Sequence, residues 1–98
     1  MKTRLPVSRE RAEELAIQAL TFIAEDAAQL GRFLAITGIG PGQIRDAARE
    51  PHFLAGVLEY LTSDERLLTA FASHAQIDAA EVGEAHAALG GGWEQETP

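Results

Sequence analysis

Apolar residues recur at intervals of three and four positions along most of this chain, and that spacing restricts the chain to helices. The clearest run shares one face of a helix with 3.6 residues per turn; its members are Ala12, Leu15, Ala16, Ala19, Leu20 and Ile23. No segment shows the two-residue alternation of a half-buried strand. Because 46% of the 98 residues are hydrophobic, the chain can bury one modest core. We therefore predict a single all-α domain over residues 8–90.

Polar and proline residues divide this domain into six predicted helices. Ser8 is the expected N-cap of the first helix. Asp26 and Asp78 begin the second and sixth helices within the capping-box sequences "DAAQ" and "DAAE", and "TSDE" begins the fifth. Pro41 and Pro51 open the third and fourth helices, because proline is tolerated at a first helical position. The predicted architecture is a compact bundle of about six short helices.

The net charge of −7 is spread unevenly along the sequence. Residues 1–7 are predicted to be a flexible basic N-terminus and residues 91–98 a flexible acidic tail, and no Lys or Arg follows Arg66. An acidic body repels nucleic acid and anionic membranes, which favours a partner that is basic or that binds through apolar surface. The alternative is that the charge only keeps a small protein in solution.

Several kinds of chemistry lack the residues that they need. Cysteine is absent, so no disulfide, thiol nucleophile or thiolate zinc site is available. His52, His74 and His86 are not spaced at i, i+3 or i, i+4, so no two share a helix face as metal ligands do. Adjacent acidic residues such as Glu13 and Glu14 fall in first turns or on exposed faces. We predict no metal, no cofactor and no catalytic residue.

The opening stretch "MKTRLPVSRERAEEL" passes directly into charged residues and lacks the apolar core of a signal peptide. No window approaches the roughly 20 apolar residues of a membrane span. The expected location is the cytoplasm.

The two halves of the sequence align with each other at an offset of 38 residues. Asp26 then meets Asp64 and Phe33 meets Phe71, so predicted caps and core positions coincide. Six of the 37 aligned pairs between residues 13 and 49 are identical, a number that alanine- and leucine-rich helices also reach by chance. The sequence therefore allows either two related three-helix units or a coincidence.

A cluster of glycines in "ITGIGPGQIRDAA" admits two interpretations. Residues 38–41 resemble the turn of helix-hairpin-helix DNA-binding proteins, although Gln43 and Ile44 stand where that motif has a basic and a small residue. The second interpretation is a corner, with Gly38 in the left-handed position after one helix and Gly40 as the N-cap before the next. The acidic charge of the chain favours the corner. Three interior glycines, at positions 31, 56 and 83, indicate either close approach of a neighbouring backbone or helices that merely tolerate glycine.

Tyr60 and Trp93 are the predicted partner-binding residues, because aromatic side chains are over-represented among binding hot spots. A single tryptophan in a polar segment either covers the core or anchors a partner.

The stretches "ALTFIAED", "LGRFLAITGI", "FLAGVLEYLTSDE" and "AHAALGGG" resemble a family of short alpha-proteobacterial proteins of unknown function, over residues 15–92. The resemblance implies an all-helical fold and a bacterial cytoplasmic origin, and it carries over no catalytic or binding residue. Gly42 departs from the acidic residue expected at that position.

The leading hypothesis is a non-enzymatic module that binds an unidentified protein through an apolar groove or through Trp93. A nucleic-acid-associated helix-hairpin-helix module that uses the Gly38–Gly42 turn is the alternative, and an enzyme comes third. A homodimer follows if an apolar patch is exposed.

Overall fold

The computed structural model describes residues 7–90, which form six α-helices and one 3-10 turn. In chain order these are α1 (Arg9–Ala24), α2 (Ala27–Thr37), the 3-10 turn (Pro41–Gln43), α3 (Ile44–Ala47), α4 (Pro51–Thr62), α5 (Glu65–Ala75) and α6 (Ala79–Ala88). No strand occurs in this range, which confirms the all-α prediction. Of the two predicted flexible ends only Val7 is described, and it packs half-buried against the core. The rest of both ends lies outside the described residues.

Four helices begin where the sequence predicts, at side chains that cap the unpaired N–H groups of a first turn. Ser8, Asp26, Asp64 and Asp78 each accept a hydrogen bond from the backbone N–H of a residue two or three positions further along the chain, in the first turn of the helix that follows. Pro51 occupies the first position of α4, as predicted. These caps fix the helix starts independently of the packing around them.

The capping box predicted at Asp26 is wrong. The backbone N–H of Asp26 already donates to a carbonyl at the end of α1, at 3.1 Å, so it is not available to Gln29. The side-chain oxygen of Gln29 instead accepts the hydroxyl of Tyr60 at 2.9 Å. In the corresponding position of α6, Glu81 accepts a hydrogen bond from Nε of Arg11 at 3.3 Å. Both side chains therefore join helices to one another.

The core is assembled around α1, which contacts α2, α4, α5 and α6. Its entire predicted apolar face is buried. Phe33 from α2, Phe71 from α5 and Val82 from α6 pack into the same cluster, together with Leu58 and its neighbours on α4. Each such side chain contributes roughly 1.5–3 kcal/mol through removal of apolar surface from water. The helical period thus identified the core correctly.

Helix bounds repeat at the 38-residue offset in the first two helices of each half. The helices α2 and α5 begin and end 38 residues apart, and the ends of α1 and α4 keep the same spacing. Gly38 and Gln76, which follow α2 and α5, both have left-handed backbones, with φ of 76° and 59°. The third elements differ, because α6 buries Val82 and Ala85 whereas α3 buries no residue. The helix bounds and the left-handed residues thus follow the 38-residue offset, whereas the burial of the third elements does not, and superposition of two three-helix units stays a prediction.

The close helix approach predicted at the interior glycines is wrong. Gly31, Gly56 and Gly83 are all exposed, and a Cβ added at any of them meets no atom within 4 Å. They lie on outer faces of α2, α4 and α6, where no neighbouring backbone needs the space. A Cβ can therefore be introduced at these positions without a clash.

The glycine cluster turns a corner, as predicted. Gly38 adopts the left-handed conformation that ends α2, and its N–H donates to the carbonyl of Leu34 at 2.8 Å. Gly40 is the N-cap residue and Pro41 the first residue of the 3-10 turn. The corner directs the chain away from α2 and towards α4.

Replacing Gly38 with alanine is expected to lower the free energy of unfolding by about 1 kcal/mol, because a Cβ is disfavoured at positive φ. The matched change Gln76→Gly relieves the same strain in the second half and is expected to raise the free energy of unfolding by up to about 1 kcal/mol. Urea denaturation of both variants measures the pair. Two changes of the same sign would show that the conformation after α2 or α5 is held by other contacts.

Candidate functional site

An open groove with a volume of about 740 Å³ lies between the end of α2, one side of α4 and the end of α6. Ile36 of α2 and Ile39 of the turn form one wall, while Phe53 and Gly56 of α4 and Leu89 after α6 contribute to the others. Its volume falls within the range of about 300–1,000 Å³ that is typical of binding pockets. The groove is therefore large enough to serve as a binding surface.

The groove is apolar, and part of its apolar surface faces solvent. Ile36 is 65% exposed, although most of the large hydrophobic side chains in the described residues are half-buried or buried. Gly56 is exposed beside it and carries no side chain, which leaves that part of α4 open to a ligand. Exposed apolar surface at a concave site is typical of an interaction surface.

Carboxylates accompany the apolar wall. Glu50 and Glu59 both line the groove, together with the imidazole of His52. Oε1 of Glu59 lies 3.9 Å from Nε2 of His86, a nitrogen that is buried and forms no hydrogen bond. No lysine or arginine is among the lining residues of the part of the chain that the structure describes. The groove therefore combines apolar surface with an acidic margin.

Tyr60, a predicted partner-binding residue, lies in a smaller hollow of about 320 Å³ that continues the groove and shares Ile36, Gly56 and Glu59 with it. Its ring packs edge-on against Phe33, with ring centroids 5.2 Å apart. Burial raises the pKa of the hydroxyl above its ordinary value, with Arg32 opposing the increase and Asp64 adding to it. Because the hydroxyl already donates to Gln29, its proton is not available for a further hydrogen bond.

Trp93, the other predicted partner-binding residue, lies outside the described residues. Among the residues that line the groove, Ile36 and Leu89 were not predicted to bind a partner, and Gly56 was noted only as a position of close helix packing. A signal for Ile36 exists, because it falls off the stripe formed by Leu30 and Phe33, so an apolar residue at that position is expected to face solvent.

The turn that resembles a helix-hairpin-helix motif contributes Ile39 to the groove. The N–H of Gly40 donates to Oε1 of Gln43 at 3.1 Å, so an amide that a phosphate cradle would use is already paired. The helix that follows, α3, has only four residues. A short helix offers a small dipole for holding an anion.

The histidines occupy separate places. His74 lies in the last turn of α5 and packs against the ring of Phe22, with centroids 5.1 Å apart. His52 lines the groove and His86 lies in α6. Within residues 7–90 no three His, Asp or Glu side chains are grouped so that they could hold a metal ion.

A second large apolar side chain is exposed on α1, outside the groove. Ile17 of α1 is 47% exposed and borders a shallow hollow of about 340 Å³ with Phe22 and His74. Because it resembles Ile36 in type and exposure but is absent from the lining of the groove, Ile17 provides a matched control position.

The helices of residues 7–90 pack around α1 and leave an open apolar groove between α2, α4 and the end of α6. This arrangement defines a small all-helical protein with a candidate docking surface. None of the helices in the described range is both long enough and apolar enough to cross a membrane. A family model described as "Protein of unknown function (DUF3572)" matches residues 9–92, and the chain belongs to this family. The predicted membership of an uncharacterised family is thereby confirmed, and the match includes every residue that lines the groove. No curated protein and no solved structure matches the chain.

Proposed function

We propose that this protein is a non-enzymatic interaction module whose groove binds an amphipathic helix of another protein. The helix presents apolar side chains to the groove and carries Lys or Arg beside them. The observation that carries this proposal is the exposed side chain of Ile36 in an apolar groove that Glu50 and Glu59 border.

The apolar part of the groove supports a helix as the partner. Laying the apolar face of an amphipathic helix into a groove is a recurring mode of peptide recognition, with anchors at i, i+3/i+4 and i+7. Addition of a strand is the main alternative mode, and it requires an exposed sheet edge. Residues 7–90 contain no strand to supply one.

The charged part of the groove supports a basic partner. Glu50 and Glu59 stand at the groove of a chain with a net charge of −7. Complementary charge at the margin of an interface accelerates association and suppresses partners of the same sign. A helix with Lys or Arg next to its apolar face satisfies both the apolar wall and this margin.

The proposal is tested with a labelled helical peptide of about 18 residues, long enough to retain some helicity, that has Leu on one face and Lys elsewhere. Ile36→Gln is expected to weaken binding by about tenfold or more, because burial of an isoleucine side chain contributes roughly 1.5–3 kcal/mol. Fluorescence anisotropy measures the affinity.

Two controls accompany this measurement. Ile17→Gln makes the same chemical change outside the groove and is expected to leave the affinity within about twofold, since a surface substitution away from the contact has little effect. A second peptide replaces every Lys with Glu and is expected to bind more weakly. Equal effects of the two glutamine substitutions, or a preference for the acidic peptide, would contradict the proposal.

A further inference from the structure

We infer that Trp93 of the same chain occupies the groove when no partner is bound, and that a partner helix must displace it. This inference deepens the proposed function, on which it rests, because it concerns the occupant of the same groove. Trp93 and the partner helix then compete for the groove.

The end of α6 brings the chain to the groove. Leu89 and Gly90 line the groove themselves, and Leu89 is 7% exposed. Gly90 has a φ of 101°, a conformation in which the chain changes direction at the end of the helix. Gly91 and Gly92 separate this point from Trp93. Because three residues span at most about 10 Å, the groove lies within reach of the Trp93 side chain.

The chemistry of Trp93 matches the groove. An indole is a large apolar ring that buries about 150–250 Å² when it is enclosed, and Ile36 and Phe53 supply apolar surface in the groove. The two residues before Trp93 are glycines, which have no side chains to obstruct an approach. Trp93 is also the only tryptophan of the sequence, so its emission reports on this contact alone.

Charge limits how firmly Trp93 is held. Glu94 and Glu96 follow it in the sequence, while Glu50 and Glu59 line the groove. Like charges repel across such distances, and salt screens the repulsion. A basic helix experiences attraction where residues 94–96 experience repulsion. The partner therefore displaces Trp93 most effectively at low salt, and occupancy by Trp93 increases with salt.

Fluorescence of the full chain without any partner tests the inference. The emission of Trp93 is expected at shorter wavelength than in the urea-unfolded chain, and Gly56→Gln is expected to shift it back to the unfolded value by filling the groove. Gly83→Gln adds the same side chain at an exposed glycine that is absent from the lining, and it is expected to leave the emission unchanged. Emission at the unfolded wavelength in the native chain, or equal responses to both glutamines, would overturn the inference.

Competition gives a second readout. Trp93→Ser in the full chain is expected to tighten binding of the Leu/Lys peptide by about two- to tenfold, which corresponds to a groove occupied between one half and nine tenths of the time. An unchanged affinity would overturn the inference while leaving the proposed function standing. Emission that responds to Gly56→Gln in a protein that binds no peptide would support the occupancy of the groove by Trp93 and contradict the proposed function.

Discussion

Replacing Phe33 with alanine is expected to lower the free energy of unfolding by about 3–5 kcal/mol. Phe33 is fully buried, and no other residue of α2 is buried. Its ring packs edge-on against Phe53 and Tyr60, with centroids 5.8 and 5.2 Å away. Truncation leaves a cavity between α2 and α4 and removes both aromatic contacts. Urea denaturation followed by circular dichroism measures the loss.

Ile36→Ala is the control on the same helix. Because Ile36 is 65% exposed, its truncation is expected to change the free energy of unfolding by less than about 0.5 kcal/mol. A loss below about 1 kcal/mol for Phe33→Ala would show that the half-buried residues Leu30 and Leu34 hold α2 in place without it.

Replacing Ala16 with aspartate is expected to cost more than about 3 kcal/mol at neutral pH, because the carboxylate is buried without a partner. Ala16 has no exposed surface and lies on α1, the helix that contacts four others. The total free energy of unfolding of a domain of this size is roughly 5–15 kcal/mol. The variant is therefore expected to melt at a much lower temperature. Thermal denaturation measures the difference.

The pH dependence of the same variant separates charge from size. Burial raises the pKa of the introduced carboxyl above its ordinary value near 4. A group whose pKa is raised by folding destabilises the protein as pH increases from the unfolded pKa through the folded pKa. The gap between Ala16→Asp and the neutral variant Ala16→Asn is therefore expected to widen from about pH 4 to pH 7. A constant gap would show that the carboxyl reaches solvent.

Caps and periodicity made most of the fold predictable. Asp26 and Asp64 cap their helices through local hydrogen bonds, which depend only on neighbouring residues. The run from Ala12 to Ile23 is buried because a helix brings its members to one face whatever they contact. The role of Gln29 was missed because Tyr60, its partner, is 31 residues away. Side chains that bond across the fold lie beyond the range of local patterns.

The groove was less accessible to sequence reasoning. A groove for a partner was expected, but its position depends on how α2, α4 and the end of α6 come together. Gly56 drew attention for the wrong reason, since it indicated close helix packing and proved to face open space. Leu89 reads as an ordinary core residue in the sequence, and it is buried as one. Its second role as groove lining follows only from the tertiary arrangement.

The unequal third elements of the two halves have a consequence for how this protein can evolve. Substitutions in α6 are constrained by the core, into which Val82 and Ala85 are packed. The segment from Pro41 to Ala47 buries no side chain, yet it contributes Ala47 to the lining of the groove. Substitutions at the exposed positions of this segment are expected to cost little stability, whereas Ile44 packs against the core; in the proposed function they alter the surface beside the groove. The core therefore constrains the sequence of α6 more tightly than the sequence of the segment from Pro41 to Ala47.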